Sequence, residues 1–212
     1  MTLKIKLTKK KIVSLAVVVM LFAVAAMGTF AYFTDSVTAH NVITSGKIDI
    51  TLNEKMMQAG VLVDFPEEGL LGVMPGRTVD KIVSVTNNSA GSAWVRIRIQ
   101  SEITDADGNA LPLEISRADG TVIPAISVNL TGSEDWYCGA DGCWYHKQPL
   151  APGQTTEVLF DSVTFAFELG NAYKSGTAVV NVTAEAVQTV NNPIPDGGSV
   201  EDVSGWPAVG QM

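Results

Sequence analysis

The stretch AWVRIRIQSEI, residues 93–103, alternates without interruption: Val95, Ile97 and Ile99 fall on one side, Arg96, Arg98 and Gln100 on the other. Successive side chains of an extended chain point to opposite faces, so the pattern predicts a strand with one face in a core and one in water. The same period recurs in KIDITLN (47–53), with Ile48, Ile50 and Leu52 inward, and in LFDSVTFAFEL (159–169), with Val163, Phe165, Phe167 and Leu169 inward. In TAVVNVTAEAVQ (177–188) it places Val180, Val182, Ala184 and Ala186 inward. Turn-forming clusters separate these runs: MPGRT (74–78), TNNSAGS (86–92), DADGN (105–109), RADG (117–120), GADG (139–142) and LAPGQT (150–155). Many short strands with such punctuation predict an all-β fold, an antiparallel sandwich or jelly roll over residues 47–190. The stretch 53–74 reads as a short helix or an irregular crossover. The Pro/Gly-rich, acidic residues 191–212 read as an extended tail, with Trp206 able to dock on the sandwich.

The other end of the chain has a different character. Lys4, Lys6, Lys9, Lys10 and Lys11 precede an uncharged run from Ile12 to Gly28. A basic segment, an apolar segment and small residues at a cut site describe a secretory signal peptide, here a helix within residues 1–31. Thr29 and Ala31 supply the small residues, and cleavage falls before Tyr32. The alternative is an uncleaved anchor, because the run is at the lower limit for spanning a bilayer. Removing the five lysines from 14 basic residues leaves nine against 22 acids, a net charge of −13. Such a surface repels nucleic acid and anionic membranes, so the protein is expected to meet a membrane only before cleavage.

Reactive groups are sparse. His40 and His146 are far apart, and neither an HExxH zinc motif nor a GxSxG elbow occurs, so no catalytic residue, metal ligand set or cofactor site is expected. DADGNALPLEIS (105–116) begins like a calcium loop, but Ala110 and Ser116 stand where Gly and Glu are required, and a hairpin turn is the better reading. DWYCGADGCWYHK (135–147) predicts a hairpin that sets Cys138 opposite Cys143, within reach of a disulfide, with free thiols or a metal site including His146 as the alternatives. The flanking Trp136, Tyr137, Trp144 and Tyr145 are cross-strand packing or a glycan-stacking patch.

GTFAYFTDSVTAHNVITSGKIDITLNE (28–54) resembles the junction of the TasA/camelysin group of exported proteins from Gram-positive bacteria. The resemblance lies in Phe30-Ala31, in Phe33 with Asp35, and in Ser45-Gly46-Lys47-Ile48-Asp49-Ile50. VMPGRTVDKIVSVTNNSAGSAWVRIRI (73–99) is similar to a second family segment through Pro75, Gly76, Asn87 and Asn88. The stretches WYHKQPLAPGQTTEVLFDSVTF and AEAVQTVNN extend the likeness over nearly the whole chain. It implies a jelly-roll domain, processing by a SipW-type signal peptidase, and assembly into extracellular biofilm-matrix fibres at the surface of a Gram-positive cell. In such fibres the freed N-terminal segment of one subunit inserts as a strand into the next. The partners implied are other copies of this chain and an accessory or anchoring protein. Camelysin members have been called metalloproteases, a name for which this sequence offers no zinc motif.

The residues supply a physical basis for that mechanism. Cleavage turns residues 32–46 into a free tail tipped by Tyr32 and Phe33, with Val37, Ala39 and Ile43 in moderate alternation and no proline. Such a segment can add to a sheet edge, and a head-to-tail contact that does not close gives a filament. The alternatives are that it folds back on its own sheet, or that the protein is a monomeric glycan- or surface-binding module.

Overall fold

The computed structural model describes residues 33–35, 40–45, 48–66, 71–73 and 75–208, with backbone pairing alone for 33–35, 40–45 and 71–73. Thr29, Ala31, Tyr32, Val37 and Ala39 lie outside the described residues. Residues from Phe33 onward belong to one compact unit.

The protein is all-β. Among the described residues fourteen strands run in chain order: β1 Phe33–Asp35, β2 His40–Ser45, β3 Ile50–Gln58, β4 Val61–Asp64, β5 Leu71–Val73, β6 Thr78–Asn87 and β7 Ala93–Thr104. There follow β8 Glu114–Ser116, β9 Val122–Pro124, β10 Ile126–Leu130, β11 Trp136–Cys138, β12 Trp144–His146, β13 Phe160–Phe165 and β14 Thr177–Gln188. One sheet has the order β10-β13-β6-β3-β4. The other runs β11-β12-β7-β14, and beyond β14 come β1, which also pairs with β5, and β2. Strands β8 and β9 form a separate hairpin. The two large sheets share one core, in which Leu52, Val83 and Val85 meet Val95, Ile97, Val180 and Val182. The sheet orders establish a sandwich without specifying a jelly-roll winding.

Val180, Val182, Ala184 and Ala186 are fully buried, as their alternation predicts. Phe167 is not: it is 81% exposed, while Val163, Phe165 and Leu169 are buried. The reason is local. β13 ends at Phe165, the chain turns at Phe167 and Glu168, with the Leu169 N–H donating to the Ala166 carbonyl, and the period-two rule no longer applies. Within the stretch 53–74, β3 and β4 form a hairpin, because Ala59 (φ 52°) and Gly60 (φ 82°) make a tight reversal between them, and beyond β4 the chain passes to β5 in the other large sheet. Glu54 and Lys81 interrupt the apolar inward rows of β3 and β6. Both are buried and form an ion pair, and the Lys81 ammonium lies 4.3 Å from the Phe65 ring centroid.

Candidate functional site

β14 is the strand on which both ends of the described chain converge. One edge pairs antiparallel with β7 along its full length, from Thr177↔Thr104 to Gln188↔Ala93. The other edge is completed by the N-terminal segment in parallel register: Thr34↔Thr177 and Asp35↔Ala178 through β1, then His40↔Val182 to Ser45↔Val187 through β2. Of the proposed donor residues, Phe33 thus lies in β1 and Ile43 in β2, opposite Glu185. In the single chain the segment is folded back on its own sheet. Residues 46–49 link β2 to β3, which belongs to the opposite sheet.

The outward rows of β7 and β14 depart from the expectation that they face water. Arg96 and Arg98 are 2% and 9% exposed, and Glu185 is 1% exposed. Glu185 accepts from Arg96 Nε at 2.5 Å and from Arg98 Nη2 at 2.9 Å. Arg96 also donates to Tyr145 Oη (3.0 Å), Asp141 Oδ2 (3.2 Å) and the Pro207 carbonyl (2.6 Å), and its guanidinium lies 4.9 Å from the Trp206 ring. Burial pushes the Tyr145 phenol well above its ordinary value. It also pushes the Asp141 carboxyl up, but hydrogen bonds from the Cys143 N–H and the Tyr145 hydroxyl, with the charge of Arg96, more than offset this and hold it low. Alternation alone could not reveal this cluster, since it reports only that these side chains share a face. The signal available in the sequence was the aromatic tail residue Trp206.

That tail covers the outer face. Trp94, Cys143, Tyr145 and Val187 form a second, smaller apolar cluster with Val200 and Val203. The Trp206 ring meets Tyr145 edge-on at 5.6 Å.

The hairpin β11–β12 is present, but its cysteines are free thiols. The expected bridge between Cys138 and Cys143 fails on register. Cys138 pairs with Trp144, and the Gly139 N–H donates to the Cys143 carbonyl. The loop is one residue shorter than GADG suggests, and a one-residue slip sends a side chain to the other face. Cys143 therefore lies with Tyr145 in the buried outer cluster, whereas Cys138 is exposed. The aromatic residues are likewise engaged within the protein: Trp136 is in the main core against His146, and Tyr137 stacks on Tyr145. Trp144 is partly buried against the main core.

The segment motifs have structural work. Gly76 adopts φ 76° and donates its N–H to the Phe165 carbonyl. Asn87, fully buried, donates to the carbonyls of Gly91 and Leu150 and accepts from the Ser89 N–H. Asn88 Nδ2 donates to Thr51 Oγ1 across the β3 edge. A family model described as camelysin metallo-endopeptidase matches residues 6–111, half of the chain, and takes in these positions.

The chain belongs to the camelysin family. The matched half of this camelysin-family protein contains β1 to β7, while β14 and the tail lie beyond it. No curated protein and no solved structure matches the chain. The family description names a metal, so the donor groups must be tested for one. A catalytic zinc needs three protein ligands and an open position. His146 lines a cavity of about 270 Å³ with Asp135 and Glu157, but its Nδ1 is bonded to the Gln148 carbonyl (2.7 Å) and its Nε2 to Glu157 (3.0 Å). Among the described residues no group of three His, Cys, Asp or Glu side chains could hold a metal ion. The described donor set of this camelysin-family chain does not fit a zinc peptidase.

Proposed function

We propose that this camelysin-family chain is an exported structural protein, and that residues 32–45, released by a SipW-type signal peptidase, donate a strand to the β14 edge of the next copy. The polymer is an extracellular matrix fibre at the surface of a Gram-positive cell, with an accessory or anchoring protein as a further partner. One observation carries the reading: the second edge of β14 is completed by the chain's own N-terminal segment, joined to the body through residues 46–49. An emptied edge exposes a row of unpaired N–H and C=O groups, which is a template for another strand. The same hydrogen bonds form whether the strand comes from the same chain or from a neighbour, so exchange costs little beyond the hinge and association entropy. A head-to-tail exchange of this kind does not close and grows as a filament.

Electron microscopy tests the proposal directly. Protein beginning at Tyr32 should form fibres at neutral pH, and a version lacking residues 32–45 should not. Excess peptide 32–45 should occupy open edges and shorten the fibres. Proteolysis of casein by the purified protein, lost on adding a chelator, would instead support the peptidase named in the family description.

A further inference from the structure

The C-terminal segment does more than fill space, because it grips the sheet at the level where β2 pairs with β14. Its contacts are distributed along its length. The Trp94 indole donates to the Asn192 carbonyl (2.9 Å), and within the segment Ser204 Oγ donates to Asn192 Oδ1 (2.9 Å). The Glu201 N–H donates to Tyr137 Oη (3.0 Å), while its carboxylate accepts from the Ala140 N–H (3.1 Å). Val200 and Val203 fill the outer cluster, and the Pro207 carbonyl accepts from Arg96. Arg96 and Arg98 in turn hold Glu185, and the outer cluster includes Val187. These two β14 residues are the partners of Ile43 and Ser45 in β2. Gly139 is part of the fit, since a Cβ there would stand 2.7 Å from the Tyr145 ring and collide with the Glu201 carboxylate.

We propose that residues 192–207 are a latch on β14: closed, they hold the strand that grips β2, and open, they release it. The physical link is the charged trio. Sealed from water, the Arg96–Glu185–Arg98 set fixes β14 against β7 with charge-assisted hydrogen bonds. Lifting the segment hydrates the trio, and ion pairs in water are worth little. β14 then loses its lateral restraint on the face where it also carries β2. This deepens the reading of the β14 edge as the acceptor and rests on it for its role in assembly. The latch itself is a property of the single chain.

Cys143 provides a built-in reporter, because it is buried under Val200 and Val203 while Cys138 is exposed. In intact protein carrying Cys138→Ser, a thiol reagent should modify Cys143 only through opening of the latch. Trp206→Ala and, separately, Gly139→Ala should each raise the labelling rate of Cys143 by about tenfold or more, the signature of a local opening made easier. Hydrogen exchange on the same monomeric samples should rise in 40–45 and 182–187 and stay unchanged in β6, which rules out general unfolding. Faster labelling with unchanged exchange in 40–45 and 182–187 overturns the latch. So does Cys143 labelling in the parent protein as fast as that of exposed Cys138 measured in a Cys143→Ala variant. Neither readout depends on fibres, so absence of fibres would count against the assembly proposal alone.

Discussion

Glu185 sits on the outward row of β14 and holds two arginines that the alternation of residues 93–103 assigns to water. A buried carboxylate serving two guanidinium groups cannot be removed singly without stranding them. Glu185→Ala should therefore destabilise the protein by about 3–5 kcal/mol, measured by denaturant unfolding, whereas replacing all three charges by apolar residues of similar volume should recover most of the loss. Asp141 gives the pH dependence at this scale. Its carboxyl is more acidic folded than the ordinary 3.8, so its contribution is present above that pH and is lost as pH falls through the lowered value. Melting temperatures of the parent and Asp141→Asn should differ at neutral pH and converge in acid. Conversely, Phe167→Ser should change stability by no more than about 0.5 kcal/mol, since a ring so exposed supports little.

At the scale of the element, the alternating runs were legible because a strand's period is a property of the backbone. Residues 93–103 and 177–188 emerge as the adjacent strands β7 and β14. What alternation does not encode is which water-facing row another segment will cover, and so the burial of Arg96 and Arg98 was hidden. Loop length was the second blind spot. GADG suggests a four-residue turn, but Gly139 and Cys143 close it around three, with Gly142 at φ 77°, and the register moves by one. The expected consequence is chemical: both thiols should be alkylated in unreduced protein after unfolding, with no disulfide-linked peptide in the digest. The β3–β4 reversal was missed because Ala59 occupies a left-handed position that alanine disfavours. Ala59→Asn should stabilise the hairpin by about 0.5–1 kcal/mol in thermal unfolding, because Asn tolerates that conformation.

For the whole molecule, an all-β sandwich was legible from turns and period. The candidate site was legible only in part, since the N-terminal strand lies in residues 28–54 while the strand it pairs with is 130 and more residues later. Two sheets share a core, and β14 stands where the N-terminal strands, the β7 ladder and the C-terminal segment meet. If copies exchange their N-terminal strands, the pair Val42↔Ala184, which is intramolecular in the single chain, becomes intermolecular in the fibre. The most direct measurement mixes two mature proteins, Val42→Cys and Ala184→Cys, each lacking Cys138 and Cys143, and oxidises them under assembly conditions. The account predicts a disulfide joining the two different chains. The contradicting result is a mixture that remains uncrosslinked while a single chain carrying both substitutions closes the same bond within itself.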